Sequence, residues 1–278
     1  MRHLTITPEN AEAFRPYIAA PEFPKALDPA CYGIGLAEGA LCCGALLLAP
    51  GEGEEWELCS LCIDPAVRGR GEGSRLLEAG KAAARGAGAR SLTASFAFRD
   101  NRPMAAFLER HGFSPATRRA LHHTLPLHAL EGARFFRRGT PPAAGAVPLG
   151  EAPEGALARF LEDWGDQIPP TLSLERLGPL ADPRISTCWV EEGRVLGYVL
   201  FCLRGEELFL AAAYFLPEAR GRLLPVLRAC AVRGVPLLPP ETPVHICAIN
   251  GLSEGLIERM TEGRCTEVLE EWHASCAL

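Results

Sequence analysis

The sequence predicts a mixed α/β fold built twice. Three observations carry that expectation. Short apolar runs alternate with helix-like segments in the order β-α-β-β-β-α-β-α-β, and the order then begins again. A proline- and alanine-rich stretch at 140–148 has linker composition. Finally, Asp64-Pro65-Ala66-Val67-Arg68-Gly69-Arg70 corresponds to Leu216-Pro217-Glu218-Ala219-Arg220-Gly221-Arg222 at a constant spacing of 152 residues, with proline, arginine, glycine and arginine in register. A chain of 278 residues has room for two domains of ~150 residues.

A first strand is expected at 3–7, followed by Pro8 and a helix to about Ile18, since a threonine-proline pair suits a helix start. Apolar runs at 31–36, 40–49 and 56–63, divided by Glu38-Gly39 and the Gly/Glu cluster at 51–54, read as antiparallel strands. A helix over 73–85, a strand at 91–98, a helix over 101–111 and a strand at 120–127 complete the first half. The second half repeats the scheme: a strand at 147–149, a helix through Trp164, strands at 186–190, 195–203 and 208–215, a helix, a strand at 244–249 and a short helix from Gly251. The expected division is a first domain at 1–130, a linker at 131–145 and a second domain at 146–278.

Composition narrows the function. With 48% hydrophobic and 22% charged residues the chain is too apolar for disorder. Its net charge of −6 argues against nucleic acid as the main partner, because phosphate backbones are bound by a surplus of Lys and Arg. No apolar run approaches the ~18 residues of a membrane span, and the N-terminus lacks a signal-like apolar region, so no membrane partner and a cytoplasmic location are expected. The eleven cysteines sit mostly among apolar neighbours and read as reduced thiols. Cys59 and Cys62 form a C-x-x-C on a strand, where residues three apart face opposite ways, so no metal site is expected.

The segment with the clearest chemistry runs from Leu61 to Leu77. It reads as a strand, a proline-bounded turn, a glycine-rich loop and a helix. Amides of such a loop at a helix N-terminus, with the helix dipole behind them, suit a pyrophosphate. The pattern Arg68-x-x-Gly71-x-Gly73 after Ile63-x-Pro65, together with Asn101-Arg102-Pro103 through His111-Gly112-Phe113, resembles the GCN5-related N-acetyltransferase (GNAT) family. The resemblance covers residues 3–128 by motif. It implies an α/β fold of mixed sheet, with two such acyl-CoA N-acyltransferase domains in tandem.

The resemblance further implies acetyl-CoA as co-substrate. Arg70, Gly71, Glu72, Gly73 and Ser74 would bind the pyrophosphate, with Arg68 and Gly69 opening the loop. Leu61, Cys62 and Ile63 would pair with the pantetheine arm along a splayed sheet, and Asn101 would lie near that arm. Glu57 matches the position of the family's general base, where partial desolvation would raise its pKa toward neutrality; Glu55, two residues earlier on the same strand face, is the substitute. Leu108 stands where many relatives carry a tyrosine acid. His111 reads as packing beside the glycine turn; His122 and His123 alternate on a strand, where either could titrate near neutrality, although a structural or exposed role suits both better.

The second half has Phe209 at the place of Glu57, and Leu223 and Pro225 at the places of Gly71 and Gly73. It therefore reads as a degenerate copy that covers the acceptor cleft or forms an interface, which leaves a homodimer open. The expected activity is direct transfer of acetyl from acetyl-CoA to a small-molecule primary amine. The alternatives are an acyl-CoA-binding protein without catalysis, or transfer to a protein amine.

Overall fold

The expected strands and helices form, and one further strand joins them. The protein is represented by a computed structural model that describes residues 1–131, 133–136 and 143–278. Its first half contains β1 (Arg2–Ile6), α1 (Ala11–Phe14), β2 (Tyr32–Glu38), β3 (Leu41–Pro50), β4 (Glu55–Ile63), α2 (Glu72–Gly86), β5 (Ser91–Phe96), α3 (Arg102–Arg110) and β6 (Thr117–Pro126). The second half contains α4 (Leu127–Glu131), β7 (Ala146–Pro148), α5 (Ala156–Trp164), α6 (Leu174–Leu177), β8 (Thr187–Glu191), β9 (Arg194–Arg204), β10 (Glu207–Phe215), α7 (Leu223–Gly234), β11 (Pro243–Ala248), α8 (Gly251–Thr261) and β12 (Glu267–Ala277).

The two units do not divide where composition placed the boundary. One unit is Met1–Arg119 with Glu270–Leu278, and the other is Ala120–Leu269. The division expected at 1–130, 131–145 and 146–278 is thus replaced, because each half gives up its last strand. In the first unit the strands run β1-β2-β3-β4-β5-β12, and in the second β7-β8-β9-β10-β11-β6. Residues 132 and 137–142 of the linker expected at 131–145 lie outside the described residues.

β12 was not expected from the sequence. Its signal is the alternation Trp272, Ala274, Cys276, interrupted on the polar side by His273 and Ser275. It pairs antiparallel with β5, Trp272 opposite Phe96 and Cys276 opposite Leu92. Ala274 and Cys276 enter the same core as Leu92, Ala94 and Phe96. α2 closes that face: Leu76, Leu77 and Ala84 are fully buried. Gly80 lets α2 approach β3 closely, since a Cβ there would stand 3.0 Å from Leu46 Cδ2. The opposite face of the sheet is covered by α1 and the segment to Leu27, through Phe14, Ile18 and Phe23 against Ala45 and Leu47.

The duplication is visible in the strand pairing. Trp56↔Leu92 and Glu57↔Thr93 are parallel pairs of β4 and β5, and Leu208↔Val244 and Phe209↔His245 are parallel pairs of β10 and β11. All four positions correspond at the 152-residue spacing. So do the bulges, at Cys59 in β4 and Ala211 in β10.

One consequence concerns the C-terminus. Ala274 is 1% exposed. Ala274→Asp buries an unpaired carboxylate in the first unit and should cost ~3–5 kcal/mol. Urea unfolding followed by fluorescence of Trp56 checks this, and a wild-type midpoint would place β12 outside that core.

Candidate functional site

The first unit contains a cavity of about 980 Å³. It exists because β4 and β5 stop pairing. Their parallel pairs run from Glu55↔Ser91 to Glu57↔Thr93, and beyond that point β4 is paired to β3 alone. The bulge at Cys59 bends β4 where the two strands part. Residues 58–63 of β4 form one wall, Ala94, Ser95 and Phe96 of β5 the other, and Phe107 and Leu108 of α3 and Tyr17 from the segment after α1 also line the space. The free edge of β4 thus offers unpaired backbone groups to whatever enters.

At its open end the cavity meets the glycine loop. Gly69 and Gly71 have φ of +75° and +81°, a backbone that favours glycine, and Gly71 is the N-cap of α2. Gly73 serves differently. A Cβ there would make ordinary contacts with Ile63 and Phe107 at 3.7 and 3.8 Å, so its missing side chain leaves room in the cavity and relieves no strain. Arg68 Nε donates to the Ile63 carbonyl at 2.8 Å and ties the loop to the end of β4. Asp64 Oδ1 accepts from the Ala66 amide at 2.8 Å and caps the intervening turn.

Of the residues assigned from the sequence, Leu61, Cys62, Ile63, Arg68, Gly69, Gly71, Glu72, Gly73 and Ser74 line this one cavity. Glu72 is buried and paired to Arg75 at 2.7 Å. Ser74 Oγ lies 2.9 Å from His111 Nε2, whose Nδ1 lies 3.2 Å from Glu78 Oε1. Burial pushes the Glu78 carboxyl up, but His111 and Lys81 outweigh it and hold it below its ordinary value. Lys81, itself buried, also donates to the His111 carbonyl.

Glu57, Arg70 and Asn101 are not in the cavity wall. Arg70 is exposed and reaches back to the Ala66 carbonyl at 3.4 Å. Glu57 occupies the last paired position of β4, and its carboxylate faces Lys25, with Nζ–Oε2 of 3.6 Å and 44% of the side chain exposed. The desolvated setting expected for it is therefore replaced by an ion pair. Lys25 also holds Glu22 at 2.7 Å and lies 3.4 Å from Cys59 Sγ. Burial pushes the Cys59 thiol up to about 12, against the opposing charge of Lys25. Glu55 lies on the same side of β4, at 3.5 Å from Thr93 Oγ1.

Asn101 has a structural task. Its Oδ1 accepts from the Phe98 amide at 2.8 Å, and its Nδ2 donates to the Glu270 carbonyl at 2.6 Å. The side chain expected beside the pantetheine arm instead joins the end of β5 to the C-terminal strand. His122 and His123 lie on β6 in the second unit, away from this cavity. Burial lowers the pKa of His123. Leu108 is fully buried at the cavity wall, where its side chain carries no proton to donate.

The second unit keeps the backbone scheme without the cradle. Helical turns over Pro217–Arg222 lead directly into α7, whose first residue is Leu223, so no glycine loop separates strand from helix. Phe209 stacks on His245 at 4.4 Å between ring centroids. Among the described residues no group of three or more His, Cys, Asp or Glu side chains could hold a metal ion, and no helix is long and apolar enough to cross a membrane.

The Asn101 geometry is testable by stability alone. Asn101→Ala removes the two part-buried hydrogen bonds to the Phe98 amide and the Glu270 carbonyl and should cost ~1–3 kcal/mol in urea unfolding, at ~0.5–1.5 kcal/mol for each bond. An unchanged midpoint would mean that the bridge to Glu270 contributes nothing.

Comparisons with known proteins agree with this architecture. Residues 3–113 match the acetyltransferase (GNAT) family. A tandem GNAT protein from the clavulanic acid biosynthesis pathway superposes with a TM-score of 0.66 at 18% identity, over 99% of this chain and 98% of that one. A GCN5-related N-acetyltransferase from Sphaerobacter thermophilus gives 0.61 at 14% identity, over 98% and 95%. A probable N-acyltransferase from Enterococcus faecalis V583 gives 0.54 at 13% identity, over 99% and 72%. No curated protein matches the sequence. Residues 3–113 thus match the acetyltransferase (GNAT) family, and the chain as a whole has the fold of a tandem GNAT protein.

Proposed function

We propose that the protein is an acetyl-CoA-dependent N-acetyltransferase acting on a primary amine of a small molecule by direct attack in a ternary complex. The observation that carries this reading is the continuous path from the unpaired edge of β4 to the glycine loop at the start of α2. Over residues 61–63 the backbone groups that point away from β3 are available for the amides of a pantetheine arm. The turn from Arg68 to Ser74 presents amides at a helix N-terminus, where a pyrophosphate is stabilised. Sequence family and cavity shape support the same ligand.

Glu57 is proposed as the base. An alkylamine is mostly protonated at neutral pH (reference pKa ~10.4) and must lose that proton before it can attack a thioester. Glu57 lies where β4 and β5 part, with its Oε2 3.9 Å from Sγ of the cavity-lining Cys59, so a proton can pass to it through water. A second reading is an acyl-CoA-binding protein without turnover. The buried Leu108 at the place of the family's tyrosine favours it, and binding without product from any amine would decide for it.

Three substitutions test the proposal. Gly73→Val fills the cradle without straining the backbone, so acetyl-CoA affinity measured by calorimetry should fall ~10²-fold or more, as if two charge-assisted hydrogen bonds were lost. Leu223→Ala, at the corresponding place of the second unit, should leave that affinity unchanged; two equivalent sites in the titration would contradict it. Glu57→Gln should lower kcat ~10²–10⁴-fold against a panel of small amines while acetyl-CoA affinity holds. A mutant with normal kcat would move the role to Glu55 or to water.

A further inference from the structure

The proposed reaction expels a thiolate, and the residue that other family members use to receive it is replaced by the buried Leu108. Four of the hydroxyl and thiol groups of the cavity wall have other partners. Tyr17 Oη donates to the Cys42 carbonyl at 2.9 Å and lies 3.1 Å from Asp64 Oδ2, so its proton is committed to those acceptors. Ser60 Oγ donates to the Tyr17 carbonyl at 3.4 Å. Cys59 Sγ turns to Lys25. Ser74 stands at the glycine loop, at the pyrophosphate end of the cleft, with His111.

Ser95 differs from all of these. It lies on β5 two residues past Thr93, the last residue paired with β4, and so at the narrow end of the cleft opposite Leu58, Cys59 and Ser60. Its Oγ is 3.2 Å from Nδ1 of His273, the residue directly across from it on β12. A hydroxyl backed by an imidazole stands where the acyl end of the arm would lie.

We propose that Ser95 is the thiolate-stabilising donor of this site and that His273 is its positioning residue. With its proton on Nδ1, His273 donates to Ser95 Oγ and so turns the serine hydroxyl hydrogen into the cleft. As the tetrahedral adduct collapses, the carbon–sulfur bond breaks and its electron pair goes to sulfur. Ser95 donates a hydrogen bond to that developing thiolate, and the released thiolate takes its proton from solvent. A thiol of pKa ~8.5 leaves readily once its charge is stabilised in this way. The inference rests on the acetyltransferase reading of the cleft.

It is tested first without turnover. The thiol of bound coenzyme A is titrated by the ultraviolet absorbance of its thiolate, against desulfo-coenzyme A as blank. In the wild type it should titrate about one to two pH units below its position in Ser95→Ala, the effect of one hydrogen bond to a charged group. His273→Leu should lose the same effect. His273→Asn, whose amide N–H can take the place of Nδ1–H, should restore most of it.

Turnover follows. Ser95→Ala should lower kcat ~10²-fold, the low end of what losing one donor to a developing anion costs, with acetyl-CoA affinity unchanged by calorimetry. The double variant Ser95→Ala/His273→Leu should be no slower than Ser95→Ala, since the two act in series. Identical thiol titration in wild type and Ser95→Ala overturns the proposal. So does additive loss in the double variant. A wild type that binds acetyl-CoA but acetylates no amine overturns the acetyltransferase reading itself, whereas an active wild type matched by Ser95→Ala overturns only the role given to Ser95.

Discussion

Parallel pairing between β4 and β5 ends at Glu57 and Thr93, and the rest of the site depends on that ending. Two parallel strands that continued in register would satisfy each other's backbone groups and leave no cleft. Here the Cys59 bulge turns β4 away, and the edge beyond it keeps its donors and acceptors free toward the cavity. Such an edge needs a partner, and a ligand carrying amide groups is the partner it fits. The same separation sets the walls for Ser95 and Ser60 and leads the cleft to the start of α2.

The second unit shows that the backbone alone does not make the site. It has the bulge, the same two corresponding parallel pairs and the same strand order. It lacks the turn: helical residues from Pro217 run into Leu223 with no left-handed glycine between them. Where the first unit presents a carboxylate at Glu57, the second stacks Phe209 on His245. The shared fold and the candidate site thus separate at a handful of positions.

Exchange of the last strands shapes the first unit more than any local feature. Its sheet is completed by residues 270–278, so residues from both halves of the sequence belong to one unit. Asn101 bonds to Glu270, and His273 backs Ser95, which joins the glycine-loop unit to the end of the sequence. Pairing over such separations is entropically costly to form, and it makes the core of this unit depend on the complete chain.

Much of this was legible in the sequence. Alternation and turn residues located eleven of the twelve described strands, and the 152-residue correspondence revealed the duplication that the pairing registers bear out. The loop from Arg68 to Ser74 announced itself because glycine spacing is a local property, set by backbone conformations only glycine adopts readily. What could not be read locally was the partner of each side chain. Asn101 looked like a ligand contact because its place beside α3 is visible in sequence, whereas its acceptor lies 169 residues away. Glu57 was assigned a dry setting because nothing near it in sequence foretells Lys25. β12 escaped because its polar face is as regular as its apolar one, and only the open edge of β5 decides which strand it completes. Sequence determined which elements form and where the loop amides gather; tertiary structure decided which half each last strand belongs to, because strand pairing is satisfied by any matching edge in reach and is not written in the residues of one strand alone.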